Sequence, residues 1–324
     1  MVDLDAAIGF VVAHGDAVDR ARLSRLRTGA PVPDELLDAA EVGQTADGGW
    51  PALLGGDVPS VDATCFRLGE LDDLGALGRP AARHALDWLA ARQLPDGGWD
   101  EDPRLAGSAP EWATPGDPEA RLYLTANAAF WLSVAGRDAR AAGPLDHRVG
   151  GAYAGVVQAA AQALAGRLAP DGTWPSFLAA GWLSAAVLHR QQLYYESARI
   201  QAVLAERMPG LSPADVAALA ATLRRVEVGE EQWVLVSARK RLAETQRSDG
   251  GWDSDDGHQF DVHTTLTAIR ACRPVGPVLP PGSPVLPPGS PVLPPGSPVL
   301  PPGSPVVRRH RVAPPAGDEE PGTW

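Results

Sequence analysis

Cysteine is nearly absent from this chain of 324 residues, which holds only Cys65 and Cys272. Two cysteines cannot build the disulfide framework of small secreted domains, so we expect a cytoplasmic location. The chain also lacks a run of about 20 unbroken apolar residues, which argues against a transmembrane helix. Its first residues, MVDLDAAIGFVVAHGD, are acidic where a signal peptide is basic. Peripheral contact with a membrane surface stays compatible with these features.

Positive charge is also scarce, with 28 Lys and Arg against 40 Asp and Glu and a formal net charge of −12. A protein that binds nucleic acid needs Lys and Arg in excess to contact phosphates. The composition therefore argues against a nucleic-acid partner. It says nothing about the oligomeric state.

Proline is concentrated at the C-terminal end, where the heptapeptide PVLPPGS occurs four times in succession from Pro277 to Ser304. Proline at this density removes backbone donors and is incompatible with a helix or a central strand. The segment is typical of a polyproline spacer or a disordered tail. We therefore predict a folded domain over 1–273 and a low-complexity tail over 274–324.

Within 1–273 the apolar residues recur at three- and four-residue spacing, which predicts an all-α domain. Segments rich in Ala, Leu, Arg and Glu, such as ARHALDWLAARQ, alternate with more apolar ones, such as RLYLTANAAFWLSVAG. This alternation is typical of outer helices that face solvent followed by inner helices enclosed by neighbours. The sequence predicts about five such pairs, preceded by one N-terminal helix near Leu4 to Arg27.

A turn sequence recurs between the outer and inner helices, as QTADGGW, QLPDGGW and QRSDGGW, with a degenerate fourth copy, LAPDGTW. We call these turns clasps, and they end at Trp50, Trp99, Trp252 and Trp174. The two glycines supply unusual backbone dihedrals, and the Gln amide can bond both its own turn and a neighbour. The Trp ring is predicted to lie over the Gln of the next repeat, so a clasp is structural and carries no chemistry.

The clasps resemble the repeated Gln and Trp motif of squalene-hopene cyclases and related class II terpene cyclases. That superfamily also includes the β subunits of protein prenyltransferases. The resemblance extends roughly from Leu36 to Cys272. It implies a single α/α toroid whose central cavity binds an isoprenoid or another apolar ligand, and a cyclase activity that uses no metal or cofactor.

Class II cyclases protonate an alkene or epoxide, for which the family uses a DxDD motif with the middle Asp as donor. The sequence has one match, DSDD, so the resemblance implies Asp255 as donor with Asp253 and Asp256 as supports. This match directly follows a clasp Trp, whereas the family motif opens an inner helix and is followed by Thr-Ala. The sequence DEDP after Trp99 shows that acidic residues recur at this place, so a solvated acidic loop is the alternative.

Two inner helices begin with SVDAT and FDVHT, and alignment on their shared Thr offers other residues for the cavity. These residues are Asp62, Asp261 and His263. Aromatic side chains on the inner helices are the candidates for an apolar lining that binds substrate. They are Phe66, Tyr123, Phe130, Trp131, Phe177 and Trp182. The Pro-rich connection from Pro110 to Thr125 can cover one end of the toroid.

Two alternatives to a cyclase remain at this point. Prenyltransferase β subunits bind zinc through Asp, Cys and His side chains, and the resemblance offers Asp62, Cys65 and His263 for that role. A toroid without catalytic activity, which binds a lipid or a partner, is the other alternative. The simpler explanations are a core histidine bonded to a neighbouring carboxylate for His263 and a buried small apolar side chain for Cys65.

Overall fold

The computed structural model describes residues 1–53, 55–138 and 151–273. The predicted Pro-rich tail lies outside these residues. Twelve α-helices occur in the described part of the chain. They are α1 (Leu4–His14), α2 (Ala17–Thr28), α3 (Asp34–Glu41), α4 (Val61–Asp73), α5 (Pro80–Ala91), α6 (Pro118–Asp138), α7 (Ala154–Arg167), α8 (Leu178–Arg190), α9 (Tyr194–Arg207), α10 (Pro213–Arg225), α11 (Trp233–Thr245) and α12 (Asp261–Cys272).

The even-numbered helices form a closed inner ring. Each of them packs against the next, from α2 through α4, α6, α8 and α10 to α12, and α12 returns to contact α2. The odd-numbered helices pack on the outside of this ring. The predicted all-α single toroid is therefore confirmed, with six inner and outer pairs in the described residues. The core consists mainly of the Ala and Leu side chains between the two layers.

Two of the connections between helices contain short regular elements. Strands β1 (Trp50–Pro51) and β2 (Pro59–Ser60) pair antiparallel between α3 and α4. The connection from α5 to α6 contains two 3₁₀ turns, Pro103–Leu105 and Glu111–Ala113. None of the helices in the described residues is both long and apolar enough to cross a membrane.

The N-terminal segment forms two helices where the sequence predicted one. Helix α1 ends at its C-cap, Gly15, where an added Cβ would lie 2.6 Å from the carbonyl oxygen of Val11. Asp16 then caps α2 through a reciprocal pair of bonds with Asp19, in which each side chain accepts from the other's backbone N–H. A capping box inside a helical pattern is a start signal, and it makes α1 and α2 the sixth pair.

Each clasp with a Gln fixes the inner helix that follows it. The backbone N–H of the clasp Trp donates to a Thr hydroxyl near the start of that helix. The pairs are Trp50–Thr64 at 2.9 Å, Trp99–Thr125 at 3.0 Å and Trp252–Thr265 at 3.2 Å. The buried indole N–H of each Trp donates back to a carbonyl of the preceding outer helix or its C-cap. The Trp therefore joins the outer and inner helix of one repeat.

The connection between repeats is made by hydrogen bonds of the Gln amide. Gln44, Gln93 and Gln246 each donate to a carbonyl at the start of another outer helix. The acceptors are Ala81 in α5, Val156 in α7 and Asp3 at the start of α1, all at 2.8 Å. Gln246 also accepts from the backbone N–H of Asp3. These two bonds join residues 243 positions apart and close the ring.

The glycines of the clasps allow the close approach that this connection needs. Gly97 has φ of 84°, and an added Cβ would lie 2.6 Å from the carbonyl oxygen of Ala159 in α7. Only a residue without a side chain fits between the turn and the neighbouring outer helix. In the fourth clasp, which lacks the Gln, Arg199 of α9 instead donates to the carbonyl of Ala169.

Replacing Gln246 with Ala should loosen the closure of the ring. The change removes the bonds to both backbone groups of Asp3, and we expect a loss of about 1–3 kcal/mol in the free energy of unfolding. Hydrogen exchange should accelerate over residues 3–14. The matched control is Gln44→Ala, which removes a similar set of bonds inside the ring and should leave exchange over 3–14 unchanged. Equal rates of hydrogen exchange over residues 3–14 in both variants would contradict the role of Gln246 in closing the ring.

Candidate functional site

The inner ring encloses a cavity of about 670 Å³. Its walls come from four inner helices, α4, α6, α10 and α12, together with the connection from α5 to α6. These helices point the same way, so their first turns share one end of the cavity and their last turns the other. We call the first the acid end, because Asp62 lies there, and the second the ionic floor, formed by Glu70, Asp72, Asp73, Arg225 and Arg270.

The clasps determine which side chains face the acid end. Because each clasp Trp bonds a Thr of the inner helix, the same helical position is presented to the cavity in each of these repeats. The residue two positions before that Thr is Asp62 in α4, Tyr123 in α6 and His263 in α12. All three line the cavity. Of the three acidic or histidine candidates on these helix starts, the structure thus brings Asp62 and His263 to the cavity, and Asp261 lies outside it.

Asp62 is a half-buried carboxyl with two hydrogen-bond donors. The indole N–H of Trp112 donates to Oδ2 at 3.0 Å, and the hydroxyl of Tyr123 donates to Oδ1 at 2.9 Å. Asn127, one turn further along α6, donates to the oxygen of Tyr123 at 3.1 Å. Sequence analysis did not select Trp112, although the connection that carries it was predicted to cover one end of the toroid.

Burial raises the pKa of Asp62, and the hydrogen bonds from Trp112 and Tyr123 offset only part of that rise. Burial and the nearby carboxyl of Asp62 also raise the pKa of Tyr123, so the phenol stays a donor. The arrangement has two consequences. A raised pKa keeps more of Asp62 in its protonated form, and two fixed donors stabilise the anion that remains after a proton has left.

Glu101 holds the start of α4 in place beneath Asp62. It is 4% exposed and accepts hydrogen bonds from the Ser60 hydroxyl and from the backbone N–H groups of Val61 and Asp62, at 2.8–2.9 Å. A carboxylate at a helix N-terminus is favourable because the free N–H groups there carry partial positive charge. The sequence indicated DEDP only as an acidic segment that recurs after a clasp, and the burial of Glu101 was not predicted.

Aromatic rings on α4, on α6 and in the connection from α5 to α6 form part of the cavity wall. Phe66, Tyr123, Phe130 and Trp131 line the cavity, as does Trp112. The rings of Phe130 and Trp131 meet edge to face with centroids 5.0 Å apart. Such ring faces stabilise a cation by their quadrupoles.

The two remaining aromatic candidates lie elsewhere. Trp182 of α8 is 6% exposed and belongs to the core between the helix layers. Phe177 directly precedes α8 and accepts a hydrogen bond at its carbonyl from the fourth clasp's Trp174. Neither lines this cavity, because α8 contributes no side chain to its wall.

The DSDD segment is a solvent-exposed turn. Asp253, Asp255 and Asp256 are all exposed, and Asp255 accepts a hydrogen bond from Ser212 at the start of α10. Asp256 alone among the three lines the cavity, at its mouth. Asp255 does not line the cavity, so the proton donor that the DxDD match implied lies outside it.

Asp261 is engaged in an ion pair outside the cavity. Arg247 Nη1 lies 2.6 Å from carboxylate oxygens of both Asp253 and Asp261. Together with His258 these two Asp form, in the part of the chain that the structure describes, the only group of three His, Cys, Asp or Glu side chains whose ligand atoms converge within 4.8 Å. An Arg already occupies this group.

The three side chains proposed as zinc ligands do not converge in that way. Asp62, Cys65 and His263 face the same region, yet they are not brought within ligand distance of one another. Burial and the negative charges of Asp62 and Glu101 raise the pKa of Cys65 well above its usual value, which disfavours the thiolate that zinc binds. The zinc alternative therefore has no support from this geometry.

At the ionic floor, Asp72 lies between two guanidinium groups. Arg225 and Arg270 both bond its carboxylate, the latter at 3.0 Å. Burial raises the pKa of Asp72, but the two positive charges outweigh that effect and hold its pKa below the usual value. Arg270 also pairs with Asp73 at 2.6 Å. The network joins the last turns of α4, α10 and α12.

No family model matches the chain, and no curated protein sequence matches it. The fold is similar to solved structures of low sequence identity. One is a protein from Actinoplanes, with a TM-score of 0.54 and 18% identity over 83% of this chain and 97% of that one. Another is the type II terpene cyclase MstE from Scytonema without ligand, with a TM-score of 0.53 and 14% identity over 83% of this chain and 95% of that one. The chain thus has a fold like that of a type II terpene cyclase.

Proposed function

We propose that this chain binds a linear isoprenoid in the central cavity and cyclises it by proton transfer from Asp62. The observation that carries the proposal is the pair of donors, Trp112 and Tyr123, on a carboxyl of raised pKa at the acid end of the cavity. An alkene is a very weak base. The acid that protonates it must therefore be held protonated before the reaction and stabilised as an anion after it.

In the proposed reaction, protonated Asp62 transfers its proton to a terminal carbon–carbon double bond. The π electron pair forms the new C–H bond, and the adjacent carbon becomes a cation. Further double bonds attack this cation to close rings, until a water molecule takes a proton from the carbon beside the last cation and the C–H electron pair forms a new double bond. The product is an isomer of the substrate, and Asp62 regains its proton from solvent. The rings of Phe66, Phe130 and Trp131 line the same cavity, and aromatic faces of this kind stabilise a cation.

The position of Asp62 on its helix supports this role. In SVDAT, alignment on Thr64 places Asp62 at the middle Asp of the DxDD pattern, with Ser60 and Ala63 at the flanking acidic positions. The chain therefore departs from that pattern at two of its three acids. Glu101 supplies a buried carboxylate beside Ser60, at 2.8 Å from its hydroxyl. The similarity to the fold of a type II terpene cyclase favours the same class of chemistry.

A direct assay is incubation of the full chain with linear polyprenes, followed by mass spectrometry and NMR for cyclic isomers. Cyclic products that depend on Asp62 support the proposal. Tight binding of a polyprene without any product would instead support a toroid that binds lipid and has no catalytic activity.

Replacing Tyr123 with Phe should move the pH profile of kcat/KM. The acid must be protonated, so activity falls as pH rises through the pKa of Asp62. Tyr123 lowers that pKa by its hydrogen bond, and its loss should shift the falling limb to higher pH. The maximal rate should drop by about ten- to a hundredfold, because the remaining anion loses one donor.

The matched control is Tyr153→Phe, which removes a phenol that donates to Asp87 at 2.8 Å, away from the cavity. It should leave both the pH profile of kcat/KM and the maximal rate unchanged. If the falling limb of the profile moved to lower pH in Tyr123→Phe, the assigned role of the Tyr123 phenol would be contradicted.

A further inference from the structure

We infer that the isoprenoid taken by this cavity has an uncharged end group, such as a hydrocarbon, an alcohol or a phenol, and that a prenyl diphosphate is rejected. This inference rests on the proposed function and specifies the substrate class of the same cavity. It follows from the sign, the pairing and the burial of the charges along the wall.

Carboxylates outnumber cationic side chains on that wall, even when Asp62 is counted as a neutral acid. Four further acidic residues line the cavity, namely Glu70, Asp72, Asp73 and Asp256. Two Arg, Arg225 and Arg270, line the cavity beside them, and no Lys lines it among the described residues. Glu70 is paired from outside this lining, with Arg22 and Arg67. A diphosphate brings two or more negative charges into this surface, where juxtaposed like charges are strongly unfavourable.

Both of these Arg are already held by buried carboxylates. Asp72, whose side chain is 7% exposed, accepts from Arg225 and Arg270 together. Arg270 bonds Asp73 as well. A phosphate could bind these guanidinium groups only by displacing Asp72 and leaving its charge buried and unpaired, which is costly.

A divalent cation offers the diphosphate no alternative route. Mg²⁺ bound to a diphosphate usually takes one or two carboxylates from the protein, and the carboxylates of Glu70, Asp72 and Asp73 are each already paired with Arg side chains. Within residues 1–53, 55–138 and 151–273, no group of three possible metal ligands converges at the cavity. The other polar side chains on the wall are the imidazole of His263 and neutral groups that include Thr222, Thr267 and Asn127. Neutral hydroxyl and amide groups suit a hydroxyl on the ligand.

Two ligands of the same chain length test this inference, geranylgeraniol and geranylgeranyl diphosphate. Binding is measured by calorimetry on the full-length Asp62→Asn variant, with and without Mg²⁺. We expect the alcohol to bind at least about tenfold more tightly than the diphosphate. Added salt should increase the affinity for the diphosphate, because it screens the repulsion between like charges, and it should leave the affinity for the alcohol unchanged. A diphosphate that binds as tightly as the alcohol, or that salt weakens, would overturn the inference.

Neighbouring residues provide a matched pair of variants. Asp256 is exposed at the cavity mouth, and Asp255 is exposed outside it. Asp256→Lys should bind the diphosphate about tenfold more tightly than Asp255→Lys does, because Asp255→Lys makes the same change of charge outside the cavity wall. The alcohol should bind both variants equally. Equal effects of the two variants on the diphosphate would show that the charge of the wall does not select the ligand.

The outcomes also separate this inference from the proposed function. Turnover of the diphosphate that depends on Asp62 refutes the inference and leaves the cyclase proposal intact. Failure of both ligands to bind, or full turnover by Asp62→Asn, refutes the cyclase proposal itself.

Discussion

Replacing Asp62 with Asn should abolish cyclisation of a polyprene and leave the fold intact. Loss of a general acid typically lowers the rate by about a hundred- to ten-thousandfold. Because the alkene is a very weak base, water cannot replace the lost acid as proton donor. The Asn amide has nearly the same shape as the acid, and its oxygen can still accept from Trp112 or Tyr123. The two measurements are product formation and the melting temperature.

Asp255→Asn is the control for this change, because it removes an Asp that the DxDD match would assign as donor. Its carboxylate lies in an exposed turn and is bonded to Ser212. We expect unchanged turnover and a change in stability within about 0.5 kcal/mol. If Asp255→Asn abolished turnover while Asp62→Asn retained it, the assignment of the acid would be wrong.

The largest loss of stability is expected from Asp72→Asn. This change leaves Arg225 and Arg270 facing a neutral amide at the floor of the cavity. Removal of one member of a buried ionic cluster typically costs about 3–5 kcal/mol, a large part of the about 5–15 kcal/mol by which domains are stable. Denaturant unfolding at neutral pH measures the difference from the parent chain.

The pH dependence of that difference follows from the lowered pKa of Asp72. A carboxyl whose folded pKa is depressed contributes stability above its unfolded pKa, about 3.9 for Asp. The contribution is lost as pH falls through the folded pKa. The two unfolding curves should therefore differ by a constant amount near neutrality and approach each other only below about pH 4.

A surface ion pair serves as the comparison for Asp72. Asp38 bonds Arg79 at 2.6 Å, but its side chain is 69% exposed. Asp38→Asn should cost less than about 1 kcal/mol, because solvent screens exposed pairs. A similar small cost for Asp72→Asn would show that the ionic floor does not hold the last turns of the inner helices together.

The sequence was sufficient for the helical architecture because its signals are local. Apolar spacing, Ala- and Leu-rich composition and the Gly-Gly turns each report on a few neighbouring residues. The division of the N-terminal segment was missed, although Gly15 and the capping pair Asp16 and Asp19 were visible. The apolar periodicity continues across that break, and it outweighed the start signal in the prediction.

The candidate site was harder to predict because its contacts join distant parts of the chain. Trp112 bonds Asp62 across 50 positions, and Tyr123 bonds it across 61. Spacing within one helix offered Asp62 only as one of several candidates. Burial distinguished Glu101 from the exposed acids of the other turns, and burial depends on the packed neighbours.

The bonds between Gln246 and Asp3 give the toroid a property that linear repeat arrays lack. In an open array the terminal repeats have one neighbour, so unfolding can begin at either end and proceed inward. Here the first and last repeats contact each other, and every repeat has two neighbours. Fraying has no free end at which to start, so one interface must break before any repeat gains conformational freedom. The cavity wall should therefore persist or collapse as a single cooperative unit.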